Sequence, residues 1–300
     1  MSLANHGTIF LRAAALSLLV VLGGGLAQAC GGEDDSPPPT ATSGASTPAT
    51  AMASTPTPGL VPLRGEIVVF AASSLIDAFK AGAEVFETRH PGVKVTFNFA
   101  SSSALATQIN EGAPAGVFAS ADLAQMKNVI DKGAAAESTI FATNVPVLVT
   151  PAKGSAVTSF EDLAKPGVRL VLAGPEVPIG RYSRQVLDNA SAAASGPGPD
   201  FGKRVLDNLK SNEANVRGVL TKVQLGEADA GIVYTTDAAI AGSDVKVIEI
   251  PLAWNVTAEY PIAVLKDRPN AAAAEAWVEF LLSPDGQAVL REFGFGSPAP

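Results

Sequence analysis

From residue 64 onward, short apolar runs rich in β-branched residues alternate with longer stretches in which apolar residues recur every three or four positions. Runs of the first kind are typical of buried strands, and the second spacing is typical of amphipathic helices. Strands that alternate with helices predict βαβ units with mainly parallel sheets, and therefore an α/β fold. The predicted strands span residues 66–71, 93–99, 117–120, 145–150, 169–173, 230–234, 245–250 and 261–265.

The clearest helical spacing follows the first predicted strand, where Leu75, Phe79 and Phe86 lie on one face. The turn residues at positions 90–92, His-Pro-Gly, end this helix. Further helices are predicted over residues 122–132, 181–189, 201–209, 216–226 and 271–282, with a shorter one after residue 284.

Two serine clusters stand where a strand gives way to a helical pattern. Ser73 and Ser74 follow the first predicted strand, and Ser101, Ser102 and Ser103 follow the second. The start of a helix presents unpaired backbone N–H groups, side-chain hydroxyls and the positive end of the helix dipole. In α/β sheets, ligands bind beyond the carboxyl ends of the strands, where both clusters fall. The pattern predicts an anion site, although any one of these serines is also a common helix N-cap.

Composition narrows the classes of function. The 300 residues carry a formal net charge of -8 and no stripe rich in lysine and arginine, which argues against a nucleic-acid partner. The sequence has no G-x-S-x-G elbow, no phosphate-binding P-loop and no zinc-ligand spacing. A serine hydrolase needs a base, but His6 lies in the leader and His90 in a turn. We therefore expect a protein that is not an enzyme and that holds no cofactor or bare metal ion.

The first 63 residues indicate location. Residues 1–29 combine a basic residue, a short apolar run and the small-residue pattern Ala-Gln-Ala, as a signal peptide does. Cys30 follows at once, and the site resembles a bacterial lipoprotein signal, which implies lipid attachment to Cys30. Residues 30–63 are rich in Pro, Ser, Thr and Ala, a composition typical of a flexible linker. We expect an extracytoplasmic domain that is anchored to the membrane as a lipoprotein.

Seven segments carry a resemblance to a known family. They occur in the order VVFAASSLIDAF (68–79), FASSSALATQINEGAPAGVFASAD (99–122), GPEVPIGRYSRQVL (174–187), EANVRGVL (213–220), GEADAGIVYTTDA (226–238), EYPIAVL (259–265) and FLLSPDGQAVLREFGF (280–295). With these segments in this order, the chain resembles the molybdate-binding proteins of ABC importers over nearly all of residues 65–295.

The resemblance implies a two-lobed α/β fold of the periplasmic-binding-protein type II class, with a hinge and a ligand cleft between the lobes. It places lobe 1 in residues 64–145 and 252–300, and lobe 2 in residues 146–251. The two crossings are expected near residues 144–146 and 250–259. Because a ligand favours the closed state only through contacts that it makes better there, both lobes must supply donors.

The family's ligand positions transfer to five residues. In lobe 1, the resemblance implies that Ser74 and Ser102 bind the ligand through their hydroxyl and N–H groups. In lobe 2, it implies backbone N–H donors at Ile179 and Val216, and the hydroxyl of Tyr234. Ile179 stands where the family's V-P-A-G motif has alanine, so the N–H is kept but the side chain is larger. The plainer interpretation is a helix cap for each serine and core packing for the other three residues.

The implied donors are hydroxyl and N–H groups, and the nearby Arg181 and Arg217 are expected to be solvent-facing or structural. Such a site can hold a fully ionised tetrahedral anion, and it disfavours a protonated one, whose O–H would remain unpaired. The resemblance implies molybdate or tungstate as the ligand, with sulfate as the alternative and a serine-dependent enzyme as the least favoured function. It also implies that a monomer delivers the anion to an ABC permease with its cytoplasmic ATPase.

Overall fold

The computed structural model describes residues 62–298, so the predicted signal peptide, Cys30 and most of the linker lie outside the described residues. The strands are β1 (Gly65–Ala72), β2 (Val93–Ala100), β3 (Val117–Ala119), β4 (Thr139–Asn144), β5 (Pro146–Pro151), β6 (Leu170–Ala173), β7 (Leu209–Glu213), β8 (Ala230–Tyr234), β9 (Val245–Ile248) and β10 (Ala258–Val264). The helices are α1 (Ile76–Arg89), α2 (Ser102–Asn110), α3 (Leu123–Asp131), α4 (Pro178–Ala192), α5 (Phe201–Asp207), α6 (Val216–Gln224), α7 (Thr235–Ala241), α8 (Ala271–Leu282) and α9 (Pro284–Glu292). None of the helices within residues 62–298 has the length and apolar character needed to cross a membrane.

The strands form two five-stranded sheets, in the orders β2-β1-β3-β10-β4 and β7-β6-β8-β5-β9. The chain leaves the first sheet after Asn144, enters the second at Pro146, and returns between Ile248 and Ala258. The first sheet therefore takes strands from two separate parts of the sequence, whereas the second is built from one continuous stretch. Two sheets with helices packed around them confirm the predicted two-lobed α/β class.

The sheets are mixed, so the prediction of mainly parallel sheets is wrong. β1 is parallel to β2 and β3, and β6 is parallel to β7 and β8. By contrast, β10 is antiparallel to β3 and β4, and β5 is antiparallel to β8 and β9. The reason is the double crossing: β4 leaves the first sheet where β10 enters it, so these two strands must run in opposite directions. The same holds for β5 and β9 in the second sheet.

Side chains of β1 are buried on both faces of the first sheet. Val69 belongs to a core that contains Phe79 and Trp277, whose ring centroids lie 5.7 Å apart in an edge-on arrangement. The next residue, Phe70, packs on the other face with Leu105 of α2. Burial of each large apolar side chain contributes roughly 1.5–3 kcal/mol. Because β1 is held on both faces, the position of the serines that follow it is well fixed.

Candidate functional site

A small cavity lies where the carboxyl end of β1, the end of β8 and the first turns of three helices meet. The space between its walls, including the part that is open to solvent, is about 200 Å³. It therefore suits a compact ligand. The structure brings all five predicted ligand residues to its wall: Ser74, Ser102, Ile179, Val216 and Tyr234.

Ser74 lies in a single 3₁₀ turn, Ser73–Leu75, between β1 and α1. Its side chain is buried, and its Oγ lies 2.9 Å from the hydroxyl oxygen of Tyr260 on β10. Ser73 also lines the cavity. The predicted strand-to-helix junction is thus present with one short turn inserted, and this turn directs Ser74 towards both the cavity and Tyr260.

Ser102 is the first residue of α2, but it is not the N-cap of this helix. The cap is Ser101, whose Oγ accepts a hydrogen bond from the N–H of Ala104 at 3.4 Å. The Oγ of Ser102 instead accepts the N–H of Ala121 at 2.9 Å, which leaves the hydrogen of its hydroxyl available. The N–H groups of a first helical turn also lack partners within the helix. Ser102 therefore offers the cavity two donors, its hydroxyl and its N–H.

α4 begins without a side-chain cap. Its first residue is Pro178, which has no N–H, and the first bond of the helix joins the N–H of Arg181 to the carbonyl of Val177 at 2.9 Å. The N–H of Ile179 is therefore unpaired within the helix, while its side chain is buried in the core. A side chain at Gly180 would collide with the backbone at the end of β6, which explains why glycine is required there.

Val216 opens α6, the third helix that points its N-terminus at the cavity. The side chain of Asn215 caps this helix by accepting the N–H of Gly218 at 3.1 Å. The cap leaves the N–H of Val216, at the first helical position, without a partner in the helix. Because the Val216 side chain is buried, the contribution of this residue to the cavity is its backbone.

Tyr234 ends β8, and its ring packs against the ring of Tyr260 with 5.9 Å between centroids. Its hydroxyl is buried, yet it has no hydrogen-bond partner among residues 62–298. Leaving a buried hydroxyl unpaired costs about 1–3 kcal/mol, which a ligand that accepts from it would offset. Burial, followed by the proximity of Tyr260, holds the pKa of the Tyr234 phenol well above its ordinary value. This hydroxyl is therefore a neutral donor at physiological pH.

Two arginines flank the cavity, and each connects the helices of one sheet with those of the other. Arg181 of α4 pairs with Asp122, the N-cap of α3, at 2.8 Å. Arg217 of α6 lies 2.6 Å from the carboxylate of Asp77 on α1 and 2.8 Å from that of Asp237 on α7. The contact with Asp237 is short but poorly aligned for a hydrogen bond. Both arginines are structural, because their charge is taken up by carboxylates.

Burial dominates the ionisation of the two carboxyl groups nearest these arginines. It raises the pKa of Asp122, against the opposing effect of the Gln125 N–H and of Arg181. It raises the pKa of Asp237 to about 6, although Arg217 opposes this rise. A carboxylate oxygen of Asp237 also accepts the N–H of Tyr234 at 3.3 Å. Arg217 thus stabilises the ionised form of the carboxyl group that holds the backbone of Tyr234 in place.

The chemistry of the cavity wall is that of anion binding. Of the described residues that line it, none is lysine, arginine or histidine. Within residues 62–298, no group of three or more His, Cys, Asp or Glu side chains is placed to hold a metal ion. Hydroxyl and N–H groups donate to oxygen, and they do so most strongly when the acceptor is charged.

Three polar residues near the cavity were not predicted from the sequence. Tyr260 and Asn144 form hydrogen bonds behind Ser74, and Asp237 holds the backbone of Tyr234. Tyr260 does lie in one of the seven matched segments, EYPIAVL. Its position beside Ser74 depends on a contact between residues 186 apart, and sequence spacing gives no sign of such a contact.

This geometry defines a class of protein: one with two α/β lobes and a small cavity between them that is lined by hydrogen-bond donors. Residues 67–296 match the family described as bacterial extracellular solute-binding protein. The chain is 41% identical over 257 residues to the molybdate-binding protein ModA of Mycobacterium tuberculosis, covering 85% of this chain and 92% of that protein. It is 36% identical over 246 residues to ModA of Escherichia coli, covering 77% and 89% respectively.

Solved structures share the fold. The periplasmic molybdate-binding protein of Azotobacter vinelandii has a TM-score of 0.67 and 21% identity, covering 78% of this chain and 100% of its own. The sulfate-binding protein SubI of Mycobacterium tuberculosis has a TM-score of 0.69 and 20% identity, covering 78% and 88%. The chain belongs to the bacterial extracellular solute-binding proteins and, within them, to the family of the molybdate-binding proteins.

Proposed function

We propose that this protein captures molybdate or tungstate outside the cytoplasm and, as a monomer, delivers it to the permease of an ABC importer driven by a separate ATPase. It acts by binding and not by catalysis. The observation that carries the proposal is the buried, unpaired hydroxyl of Tyr234, which faces a small cavity walled by other neutral donors. The relatives at 41% and 36% identity support molybdate as the anion.

The proposed ligand shell draws on both lobes. Ser74 and Ser102 belong to the first, which we assign to residues 64–145 and 252–300. Ile179, Val216 and Tyr234 belong to the second, residues 146–251. Hydrogen bonds to an ionised acceptor contribute about 1.5–3 kcal/mol each. Because an anion makes the full set of bonds only when the lobes are together, its binding favours the closed state.

Titration calorimetry on the purified mature protein tests this function. We expect molybdate and tungstate to bind with a Kd below about 1 μM, and sulfate and phosphate to bind at least about 100-fold more weakly, a difference of nearly 3 kcal/mol. A preference for sulfate would replace the proposed ligand with the alternative oxyanion. Failure of all four anions to bind would overturn the proposal.

The anchor is a separate proposal that rests on the sequence around Cys30, which lies outside the described residues. We propose that the mature chain begins at Cys30 and carries lipid there. Mass spectrometry of protein extracted from membranes is expected to find a diacylated or triacylated N-terminal cysteine. A Cys30→Ser variant should lose the lipid and leave the membrane fraction. An unmodified N-terminus in the unaltered protein would contradict the proposal.

A further inference from the structure

We propose that Asn144 and Tyr260 fix the direction of the hydrogen bond at Ser74, so that this serine donates to the ligand, and that they thereby make the site prefer fully ionised anions to protonated ones. This inference rests on the proposed function, because it concerns the same cavity. It assigns a specificity role to two residues that do not line the cavity.

The chain of hydrogen bonds starts at Asn144, the last residue of β4. Its Oδ1 accepts the backbone N–H of Val145 at 3.0 Å and the hydroxyl of Thr235 at 2.9 Å. A backbone N–H can only donate, so this contact fixes which end of the amide is the oxygen. The Nδ2 group must therefore face the other way, where it donates to Thr236 at 2.8 Å and to the Tyr260 oxygen at 3.4 Å.

The orientation of the Asn144 amide determines the direction of the hydrogen bond that the Tyr260 hydroxyl makes. An amide NH₂ group has no acceptor capacity, so the phenol oxygen of Tyr260 accepts from Asn144. Among residues 62–298, Ser74 Oγ at 2.9 Å is the only hydrogen-bond partner of the Tyr260 hydroxyl besides Asn144, so it accepts the single hydrogen of that hydroxyl. Burial keeps this phenol protonated, since it raises the pKa of Tyr260 far above its ordinary value. Tyr260 thus donates to Ser74.

Ser74 is the last residue in this chain of hydrogen bonds. Its oxygen accepts from Tyr260, so its own hydrogen is left to point into the cavity. Ser102 is also oriented as a donor, because its oxygen accepts the backbone N–H of Ala121 at 2.9 Å. Both serines of the first lobe are therefore oriented as donors by groups behind them. The second lone pair of each oxygen can accept from a ligand only if the serine hydrogen turns out of the cavity, and the donor behind the serine opposes that rotation.

This orientation discriminates by protonation state. Sulfate and hydrogen phosphate are both dianions of similar size, but hydrogen phosphate carries one O–H that needs an acceptor. In a cavity of oriented donors that O–H is left unpaired, at a cost of about 1–3 kcal/mol. A free serine could rotate and accept it. The direction set by Tyr260 removes that option at Ser74.

The test is a competition assay with the full mature protein and its Tyr260→Phe variant. Molybdate is displaced by sulfate or by phosphate at pH 8, and the ratio of the two inhibition constants is measured. The variant removes the donor behind Ser74, so Ser74 can accept. We expect molybdate affinity to fall about tenfold and the sulfate-to-phosphate selectivity ratio to fall about tenfold, each corresponding to one misdirected hydrogen bond.

Two further variants separate orientation from general damage. In a Ser74→Ala background, Tyr260→Phe should leave the selectivity ratio unchanged, because the residue whose direction it sets is gone. Tyr182→Phe is the matched control, since Tyr182 is a buried tyrosine of the second lobe that does not line the cavity. Thermal unfolding checks that each variant is folded.

The outcomes are distinct. A Tyr260→Phe variant that binds molybdate more weakly but keeps the wild-type selectivity ratio would make Tyr260 merely structural and overturn the inference. Equal displacement of molybdate by sulfate and by phosphate in both proteins would also overturn it. Absence of molybdate binding by the unaltered protein would instead overturn the proposed function, whatever the variants do.

Discussion

Replacing Ser74 and Ser102 together with alanine is expected to weaken molybdate binding by about 10²–10⁴-fold. Each hydroxyl supplies one hydrogen bond to a charged acceptor, and each such bond contributes about 1.5–3 kcal/mol. A loss of 1.4 kcal/mol corresponds to a factor of ten in affinity. Titration calorimetry of the double variant beside the unaltered protein measures the loss.

The double variant should remain folded, although less stable. It leaves the N–H of Ala121 and the hydrogen of the Tyr260 hydroxyl without their acceptors, at about 1–3 kcal/mol each. Ser103→Ala is the matched control, because Ser103 stands beside Ser102 in the same helical turn but does not line the cavity. We expect the control to bind molybdate as the unaltered protein does. Unchanged affinity in the double variant would move the site elsewhere.

Replacing Arg217 with methionine is expected to destabilise the protein by about 3–5 kcal/mol at neutral pH, because the fully buried carboxylate of Asp237 loses its ion-pair partner. The effect should depend on pH. The pKa of Asp237 is about 6 in the folded protein, above its ordinary value of 3.8. The folded state therefore binds more protons between these values, and the stability contributed by this group falls as pH rises from about 4 to 6.

Loss of Arg217 should raise the pKa of Asp237 further, so the penalty should be larger at pH 7 than at pH 5. Urea denaturation at the two pH values measures it. The control is Arg89→Met, which breaks an exposed ion pair with Asp285 within the first lobe; exposed pairs contribute about 1 kcal/mol or less. An Arg217 variant that behaves like this control at both pH values would show that the buried pair contributes little.

Elements with a strong local pattern were predictable from sequence. β1, β2 and β8 have apolar, β-branched runs, and the structure places strands there. β7 was missed because its sequence, LKSNE, is polar and half exposed at a sheet edge. β4 was missed because Val145 alone separates it from β5, so two strands in different sheets follow one another without a turn signal. α4 begins at Pro178, earlier than predicted, because proline fits the first turn of a helix.

The residues that line the cavity could be predicted from sequence motifs, whereas the contacts between the residues around it could not. Ser74 and Tyr234 stand in short segments whose order along the chain carries the family resemblance. Asp77 and Arg217 stand in those segments as well, but their pairing joins residues 140 apart. Local patterns do not encode such contacts, which arise only once both lobes are folded and brought together.

The discontinuous first sheet has a consequence for the order of folding. β10 is the last strand to be synthesised, yet it lies between β3 and β4 in the sheet. The first sheet cannot be completed until residues 258–264 have left the ribosome or the export channel, whereas the strands of the second sheet form one uninterrupted stretch. Closing the longer loop delays the first sheet further. The second lobe should therefore fold first, and the first lobe should form around its emerging ends.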